Sequence, residues 1–596
     1  MKTKLIRFYF FLFTFNFLLV ATATVRYVSK TGSSTPPYTT WATASDSIQK
    51  CINICQSGDT VYVAKGVYKE NLIINTEISL IGLSMDSTVI DGRGMNSLTI
   101  VLNSNGTIKN LKIFGKDQES WENSAIWAAT QNTLINIRNC QIVETGWGVS
   151  SVSTFLYADN LFIKDVKSGF SFLSATTSNS LVSNCIIQLS TQQATGISVG
   201  YAPNGIFHFN NNIILYNRQF NNYEGHGIYL GLPRKVYINN NLICGFSDNI
   251  FVDDIMDTVF IANNILVHQK TLSSNPASIM GSGDIMMVNN NIHKSNKQAI
   301  NGGLIKLDYN IFWENNRDLV TAIYGDSDRV ADPMFMNDTV PTPLFNFDHH
   351  LQAFSPAIDR GDPSTLDVDG TRSDIGMYGG PFGEKTYYKD LAPKPPRNLS
   401  VIVDTIKITI KWNRSTEADT AYYKVYRDTV QNFTIDSTKL IGIPNDTMFY
   451  HPLLPNGRYF YKVACVDNQG NESKLSEEIV VSITSINDYP MTINDYLLYQ
   501  NYPNPFNPTT TIGYKLKERG YVKLMVYDIK GELLSVLVNQ DQEAGYYEVE
   551  FNTEVGSRQL TVENRIASGI YLYRIEVIGE GNIPVYAEMR KMLMIK

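Results

Sequence analysis

Hydrophobic and polar residues alternate in a pattern that repeats between residues 100 and 320. Short stretches of alternating apolar and polar residues are separated by Asn and Gly, and one Asn followed by apolar residues recurs in nine repeats. This Asn falls at Asn110, Asn139, Asn160, Asn184, Asn212, Asn241, Asn264, Asn291 and Asn310. Eight intervals span 200 residues, so the mean repeat is 25 residues. That length suits one coil of three short strands with turns between them.

A second ladder of apolar residues runs in step with the first. Its members, often preceded by Gly or Ala, are Ile126, Val149, Phe170, Ile197, Ile228, Ile250, Ile279 and Ile300. Two ladders with matched, irregular spacing indicate stacked coils in which each of these apolar anchors packs inward on the anchor below. We expect each Asn side chain, at a tight turn, to form a hydrogen bond with its counterpart on the next coil, which lies about 4.8 Å along the axis. The alternation and the many β-branched residues exclude a helical solenoid.

The end of such a solenoid needs a cover. Residues 43–56 place Ile48, Cys51, Ile52 and Cys55 on one helical face, which predicts a capping helix. The chain has only six cysteines, and several lie at periodic positions. We interpret them as small core residues rather than as bridges or metal ligands.

Two segments resemble the ends of secreted β-helix proteins of the pectate-lyase-like superfamily. GDTVYVAKGVY begins at Gly58, whereas Asp332-Pro333-Met334-Phe335 and DVDGTRSDIGMYG resemble the closing segment. The resemblance implies a right-handed parallel β-helix over 24–385. It is specific to the fold and carries no particular activity.

The pattern changes after Pro396. A strand with Trp412, then TAYYKVYRDT and LLPNGRYFYKVACVDNQGNES, resembles a fibronectin type III module over 395–484. Tyr459, just after the Pro455-Asn456-Gly457 turn, fits the tyrosine corner of such sandwiches. The predicted fold class is therefore all-β, a right-handed parallel β-helix followed by two β-sandwich domains.

The second sandwich is predicted over 497–596. LLYQNYPNPFNPTTTIGYKL, VKLMVYDIKGELL and ASGIYLYRIEV, before the basic end RKMLMIK, resemble the C-terminal sorting domain of type IX secretion. This resemblance implies the type IX secretion machinery as a partner and export across the outer membrane, to the cell surface or the medium.

Residues 1–23 read as a secretory signal peptide. Lys2, Lys4 and Arg7 precede an apolar run, which ends at the small residues Ala21-Thr22-Ala23. The run is shorter than a membrane-spanning helix, and we predict no transmembrane helix elsewhere. Net charge is −7 without a basic cluster, which argues against nucleic acid as a partner.

The residue that follows each anchor in the second ladder is predicted to point outward. These residues are Trp127, Ser150, Ser171, Ser198, Tyr229, Phe251, Met280 and Asn301. Tyr229 and Phe251 fall on adjacent coils, with Trp127 four coils below Tyr229. Aromatic faces suit the C–H faces of sugars, so we predict a polysaccharide-binding face. A face covered by a loop is the alternative.

The same alignment places titratable residues beside this line. His226 and Asp248 fall on neighbouring coils, each two residues before its anchor. With Asp253 and Asp254 they form the candidate catalytic set. Glu224, Asp257 and Asp284 lie nearby in the sequence.

Two chemistries remain open for this set. Paired carboxylates can hydrolyse a glycosidic bond. Alternatively Asp253, Asp254 and Asp257 hold Ca²⁺ against a uronate while a base removes the α-proton. The candidates for this base are Arg218, Arg234 and Lys235, and the last two are also predicted to bind substrate.

Gly225-His226-Gly227 and Asp253-Asp254 resemble short motifs of polygalacturonase-type hydrolases. Their order along the chain is reversed here, and the Asn-Thr-Asp block of that family is missing before them. Two functions therefore stay open. One is a secreted polysaccharide lyase or glycoside hydrolase, and the other is a non-catalytic adhesin or glycan-binding structural protein.

Overall fold

A computed structural model describes seventeen segments of the chain. They are residues 23–95, 98–116, 123–173, 179–191, 193–216, 225–267, 277–281, 286–294, 296–302, 305–338, 347–404, 407–452, 454–483, 496–501, 504–553, 567–579 and 584–595. The chain divides into two compact units. The first comprises Met1–Ile402, Thr409–Tyr450 and Phe460–Ile479, and the second comprises Val403–Ile408, His451–Tyr459 and Val480–Lys596. The predicted domain boundaries stay predictions.

The first unit begins with stacked coils built from 28 strands and one short helix. In chain order they are β1 Val25–Val28, α1 Ile48–Ile52, β2 Asp59–Val63, β3 Gly66–Tyr68, β4 Leu72–Ile74, β5 Ile78–Gly82, β6 Thr88–Asp91, β7 Ile100–Leu102, β8 Gly106–Lys109, β9 Lys112–Phe114, β10 Ser124–Ala128, β11 Leu134–Ser151, β12 Phe155–Phe172, β13 Asn179–Ser183, β14 Ile186–Leu189, β15 Thr195–Asn210, β16 Ile213–Tyr216, β17 His226–Asn239, β18 Leu242–Cys244, β19 Asp248–Val252, β20 Thr258–Ala262, β21 Ile265–Val267, β22 Ile279–Gly281, β23 Met286–Asn289, β24 Ile292–Lys294, β25 Ile300–Gly302, β26 Ile305–Asp308, β27 Ile311–Trp313 and β28 Arg329–Val330.

The remaining strands form smaller sheets. Their bounds are β29 Phe335–Asn337, β30 Asp348–Leu351, β31 Ser400–Val403, β32 Lys407–Lys411, β33 Thr420–Asp428, β34 Leu440–Gly442, β35 Met448–Pro452, β36 Gly457–Asp467, β37 Ile479–Ile483, β38 Leu497–Leu498, β39 Thr509–Leu516, β40 Gly520–Tyr527, β41 Leu533–Gln542, β42 Gly545–Asn552, β43 Gly569–Ile578 and β44 Pro584–Met594. Strands β31–β37 make sheets of three and four strands, and so do β38–β44. The predicted all-β class, a parallel β-helix followed by β-sandwiches, is confirmed.

The predicted anchor ladder is confirmed residue by residue. Parallel pairing joins Ile126 to Val149, and Val149 to Phe170. It continues from Phe170 through Ile197, Ile228, Ile250, Ile279 and Ile300. All eight anchors are at most 1% exposed and belong to one continuous apolar core. Burial of this column of apolar side chains is what stabilises the stack of coils.

The predicted Asn ladder is right in spacing and wrong in alignment over its second half. The left-handed turn residues are Asn110, Asn139, Asn160, Asn184, Asn211, Asn240, Asn263, Asn290 and Tyr309. From residue 212 onward the predicted Asn lies one position after the turn and is fully buried. Adjacent pairs such as Asn211-Asn212 made the two positions indistinguishable in the sequence.

The predicted bonding between coils is confirmed in both Asn ladders. At the turns, the Asn160 amide donates to Asn139 Oδ1 at 2.9 Å. Inside, the Asn241 side chain donates to Asn264 Oδ1 at 3.0 Å, and Asn264 donates in turn to Asn291 at 2.9 Å. The corresponding inward residues of earlier coils are Leu111, Cys140, Leu161 and Cys185, all buried. The core thus changes from apolar side chains to a hydrogen-bonded amide ladder.

The capping helix is shorter than predicted. It spans Ile48–Ile52, and the Ser47 side chain caps its N-terminus by accepting a hydrogen bond from the Lys50 N–H. Ile48, Cys51 and Ile52 are buried in the main core as expected. All six cysteines are free, and five of them are buried, which fits their interpretation as core residues.

Tyr459 forms the predicted tyrosine corner, because its hydroxyl donates to the Pro455 carbonyl at 2.9 Å. The predicted signal peptide lies almost wholly outside the described residues, which begin at Ala23. Within the described part of the chain, no helix has the length and apolarity needed to cross a membrane.

Candidate functional site

The predicted outward line follows the strand pairing. Ser198 pairs with Tyr229, Tyr229 with Phe251, and Phe251 with Met280. Tyr229 and Phe251 are half-buried, as is Trp127, but the intervening Ser150 and Ser171 are buried. Trp127 lies four coils below Tyr229, about 19 Å along the axis. On this line, aromatic residues on adjacent coils therefore occur only at Tyr229 and Phe251, and Trp127 lies apart from them.

Three rings form a compact cluster on these two coils, here called the aromatic platform (His226, Tyr229 and Phe251). The Tyr229 and Phe251 rings stack with centroids 5.7 Å apart and planes within 6°. The His226 ring tilts against both, at 5.6 Å from Tyr229 and 4.8 Å from Phe251. Such offsets are in the favourable range for aromatic pairs. The platform presents ring faces and a histidine together.

His226 and Asp248 meet because they are paired across β17 and β19. His226 Nδ1 lies 3.3 Å from Asp248 Oδ2, within ion-pair range, but its direction does not make a hydrogen bond. Asp248 is 6% exposed, and its Oδ1 accepts a hydrogen bond from the Ala277 N–H at 3.0 Å. The hydrogen bond to Oδ1 thus holds the Asp248 carboxylate in place, and Oδ2 lies beside the imidazole.

Asp253 lies directly beyond β19, at the edge of the platform. The Tyr229 hydroxyl lies 3.4 Å from Asp253 Oδ2, to which it donates. Burial, followed by the charge of Asp253, raises the pKa of Tyr229 above its ordinary value. Asp253 itself is exposed. A neutral phenol and an ionisable carboxyl therefore stand side by side at this edge.

Asp254 and Asp257 are exposed and engaged locally. Asp254 Oδ1 accepts a hydrogen bond from the Ile255 N–H at 2.8 Å, and Asp257 Oδ1 accepts one from the Thr258 hydroxyl at 2.9 Å. Among the described residues, the compact trio of metal-ligating side chains lies elsewhere, at Asp390, Asp419 and Asp467. The structure does not gather Asp253, Asp254 and Asp257 into such a group, and Ca²⁺ there stays a prediction.

Lys235, one of the predicted substrate-binding residues, contacts two rings that do not belong to the platform. Its ammonium lies 5.5 Å from the Tyr237 ring centroid and 5.1 Å from that of Phe260. Arg234 is exposed, and Arg218, Glu224 and Asp284 lie outside the described residues. Lys235 pairs with Thr258 across β17 and β20, and its role in substrate binding, like that of Arg234, stays a prediction.

A second aromatic ladder went unpredicted. The His208 and Tyr237 rings stack at 4.6 Å and 3°, and Tyr237 and Phe260 stack at 4.9 Å and 6°. Burial lowers the pKa of His208 below its ordinary value, which favours the neutral ring. The signal was present in the sequence, because each of the three lies four residues before a repeat Asn.

Comparisons with known proteins give only distant likenesses. No family matches the sequence, and no curated protein matches it. A pectin methylesterase from Aspergillus niger aligns at 13% identity over 52% of this chain and 91% of its own, with a TM-score of 0.27. An Fn3-like protein from Clostridium thermocellum aligns at 23% identity over 16% and 99%, with a TM-score of 0.14. Dimeric latent PorU from Porphyromonas gingivalis aligns at 15% over 34% and 20%, with a TM-score of 0.17.

Proposed function

We propose that this protein is an exported glycan-binding protein whose β-helix binds a polysaccharide on the aromatic platform. The observation that carries the proposal is the Tyr229–Phe251 stack on adjacent coils, with planes within 6° and both rings half-exposed. Flat ring faces bind the C–H faces of sugars. His226, whose ring packs against both, and Asp253, which accepts from the Tyr229 hydroxyl, supply hydrogen-bonding groups for sugar hydroxyls.

The platform is favoured over the second ladder because of its polar neighbours. It combines an imidazole, a phenol and two carboxylates, of Asp248 and Asp253, within a few ångströms. The second ladder also contains an imidazole and a phenol, of His208 and Tyr237, but there the Lys235 ammonium lies over the Tyr237 and Phe260 rings. A ligand site usually consists of mostly apolar groups with a few polar ones. The apolar faces supply affinity, and the polar groups orient the ligand.

The export part of the proposal rests on the two ends of the sequence. The Lys2-to-Ala23 segment has the charge, apolar run and small residues of a signal peptide. The final hundred residues resemble a type IX sorting domain. Together they support delivery across the outer membrane.

Binding is tested with the full chain and a panel of uronate-rich and neutral polysaccharides in native affinity electrophoresis. We expect retardation by at least one polysaccharide. Tyr229→Ala should weaken binding about tenfold, because removing one stacked ring loses about 1 kcal/mol or more. Tyr157→Ala, at an exposed ring elsewhere on the β-helix, is the matched control and should bind as the parent does. Equal retardation of the two variants would reject the platform as the site.

Cleavage is the second candidate function, and the approach of His226 to Asp248 at 3.3 Å favours it. The same panel is incubated with the full chain, with and without Ca²⁺, following absorbance at 235 nm and reducing ends. If the site is catalytic, Asp253→Asn with Asp254→Asn abolishes turnover and leaves affinity within about threefold. If the protein only binds, no product forms and this double variant still binds. Binding without any product therefore removes the enzyme and keeps the glycan-binding function.

A further inference from the structure

A second polar cluster lies away from the platform, where three aspartates meet. Asp419 immediately precedes β33, and Asp467 ends β36, which pairs antiparallel with β33. The Asn468 N–H donates to the Asp419 carbonyl at 2.9 Å, which fixes the two strand ends together. Asp390 arrives from the segment that follows the β-helix. Each aspartate offers one carboxylate oxygen, and these oxygens all lie within 4.8 Å of one another.

The third aspartate is held by a segment tied to the close of the β-helix. Its neighbour Lys389 bridges to Gln352, and the Lys389 carbonyl accepts a hydrogen bond from the Ala353 N–H at 2.9 Å. Asp390 is exposed, whereas Asp419 is 5% exposed and Asp467 is 1% exposed. The cluster is thus open on one side and closed on the other, as a cation site with room for water ligands requires.

The hydrogen bonds at the cluster leave a charge unmatched. Asp467 accepts from the N–H groups of Gln469 and Asn471 and from the Asn471 side-chain amide, at 2.8–2.9 Å. The same amide donates to Asp390 Oδ2 at 2.8 Å. By contrast, Asp419 Oδ1 is buried and has no hydrogen-bond partner among the described residues. A buried carboxylate oxygen without a partner is unfavourable unless something else satisfies it.

The three carboxylate charges of the cluster also favour a bound cation. Asp419 and Asp467 are buried, and their carboxylates lie close to each other and to that of Asp390, so that their like charges repel. The Asn471 amide is neutral and does not offset three carboxylate charges. A bound cation both compensates the charge and supplies the missing partner of Asp419.

We propose that Asp390, Asp419 and Asp467 form a Ca²⁺ site that holds the segment after the β-helix to the first sandwich. All three ligands are hard carboxylate oxygens, with neither imidazole nor thiolate, which suits Ca²⁺ rather than Zn²⁺. Ca²⁺ ligands at 2.3–2.6 Å lie up to about 5 Å apart across the ion, in line with the observed separations. Water and backbone carbonyls complete the six to eight ligands that Ca²⁺ takes.

The test uses the full chain, stripped with a chelator and titrated with CaCl₂ by calorimetry. We expect a site with Kd on the order of 0.1–1 mM, as in other extracellular modules, and a Tm raised by a few degrees in 10 mM Ca²⁺. Asp419→Asn should weaken this site at least tenfold and remove the rise in Tm. Glu477→Gln, which removes one charge from an exposed side chain of the same module, should keep both.

The chelated proteins separate a metal site from a structural role. Without Ca²⁺, Asp419→Asn should melt no lower than the parent chain, because it removes one of three repelling charges. Asp390→Asn, at the exposed ligand, should also lose the Ca²⁺-dependent rise. The proposal is overturned if the parent chain shows neither heat nor a shift in Tm, or if both variants bind Ca²⁺ as tightly as the parent.

Discussion

Replacing Asn264 by Ala is expected to destabilise the β-helix by about 4 kcal/mol. Asn264 is fully buried in the inward amide ladder. Its Oδ1 accepts from the N–H and side-chain amide of Asn241, and its amide donates to the Ile238 and Ala262 carbonyls and to Asn291. Ala removes all five bonds and leaves several buried groups unpaired. Each such group carries a desolvation penalty of about 1–3 kcal/mol, partly relieved by relaxation.

The matched control is Asn103→Ala, which makes the same chemical change at an exposed Asn–Asn bond. The Asn103 amide donates to Asn75 Oδ1 at 2.8 Å in contact with solvent. Water replaces that bond, so the expected loss is below about 1 kcal/mol. Urea unfolding of the β-helix, followed by circular dichroism, measures both variants. Equal losses would mean that the buried amide ladder does not stabilise the stack as inferred.

Acidification from pH 7 to pH 4 is expected to destabilise the β-helix by about 3 kcal/mol through His293 alone. His293 is fully buried, and its ring stacks on Phe312 at 4.9 Å. Neither ring nitrogen has a hydrogen-bond partner among the described residues. Burial lowers its pKa from 6.5 to about 3. The unfolded chain therefore takes up a proton near pH 6.5, whereas the folded chain does so only near pH 3.

The stability associated with neutral His293 is thus present above pH 6.5 and is lost progressively as pH falls toward 3. His293→Leu should remove this component, and Leu266 already occupies the paired position one coil earlier. The informative quantity is the difference in unfolding free energy between parent and variant, measured at pH 7 and at pH 4. A difference that does not change with pH would contradict a neutral, unpartnered His293. His350→Asn is the control. Burial alone would lower the pKa of His350, but the hydrogen bonds of its ring to Glu384 and Asp348 outweigh burial and raise it. The difference for this variant should therefore change with pH in the opposite direction.

The sequence predicted the contacts that depend on strand alignment. In a parallel stack, a constant offset from one anchor to the next makes residues neighbours. Pairing of His226 with Asp248 and of Tyr229 with Phe251 followed from that rule alone. It failed where two adjacent residues were chemically identical, as at Asn211-Asn212, because a shift of one residue then leaves no trace in the sequence.

Contacts that the predicted ladders do not fix were not predictable in the same way. Lys235 pairs with Thr258, but its ammonium contacts the Tyr237 and Phe260 rings, so its contacts depend on the path of a long side chain. The trio of Asp390, Asp419 and Asp467 joins three distant segments, and no periodic pattern relates them. The second aromatic ladder could have been predicted from the sequence. Finding it required comparing the residues four positions before each repeat Asn, rather than the residues that follow each anchor.

Hydroxyl-radical footprinting of the full chain, with and without the bound polysaccharide, tests the central claim most directly. The two outward ladders offer matched probes, because each carries a Tyr, a Phe and a Met on three successive coils. Polysaccharide binding at the platform predicts reduced oxidation of Tyr229, Phe251 and Met280, with Tyr237, Phe260 and Met287 unchanged. Protection of the second set, or of neither, would contradict binding at the platform.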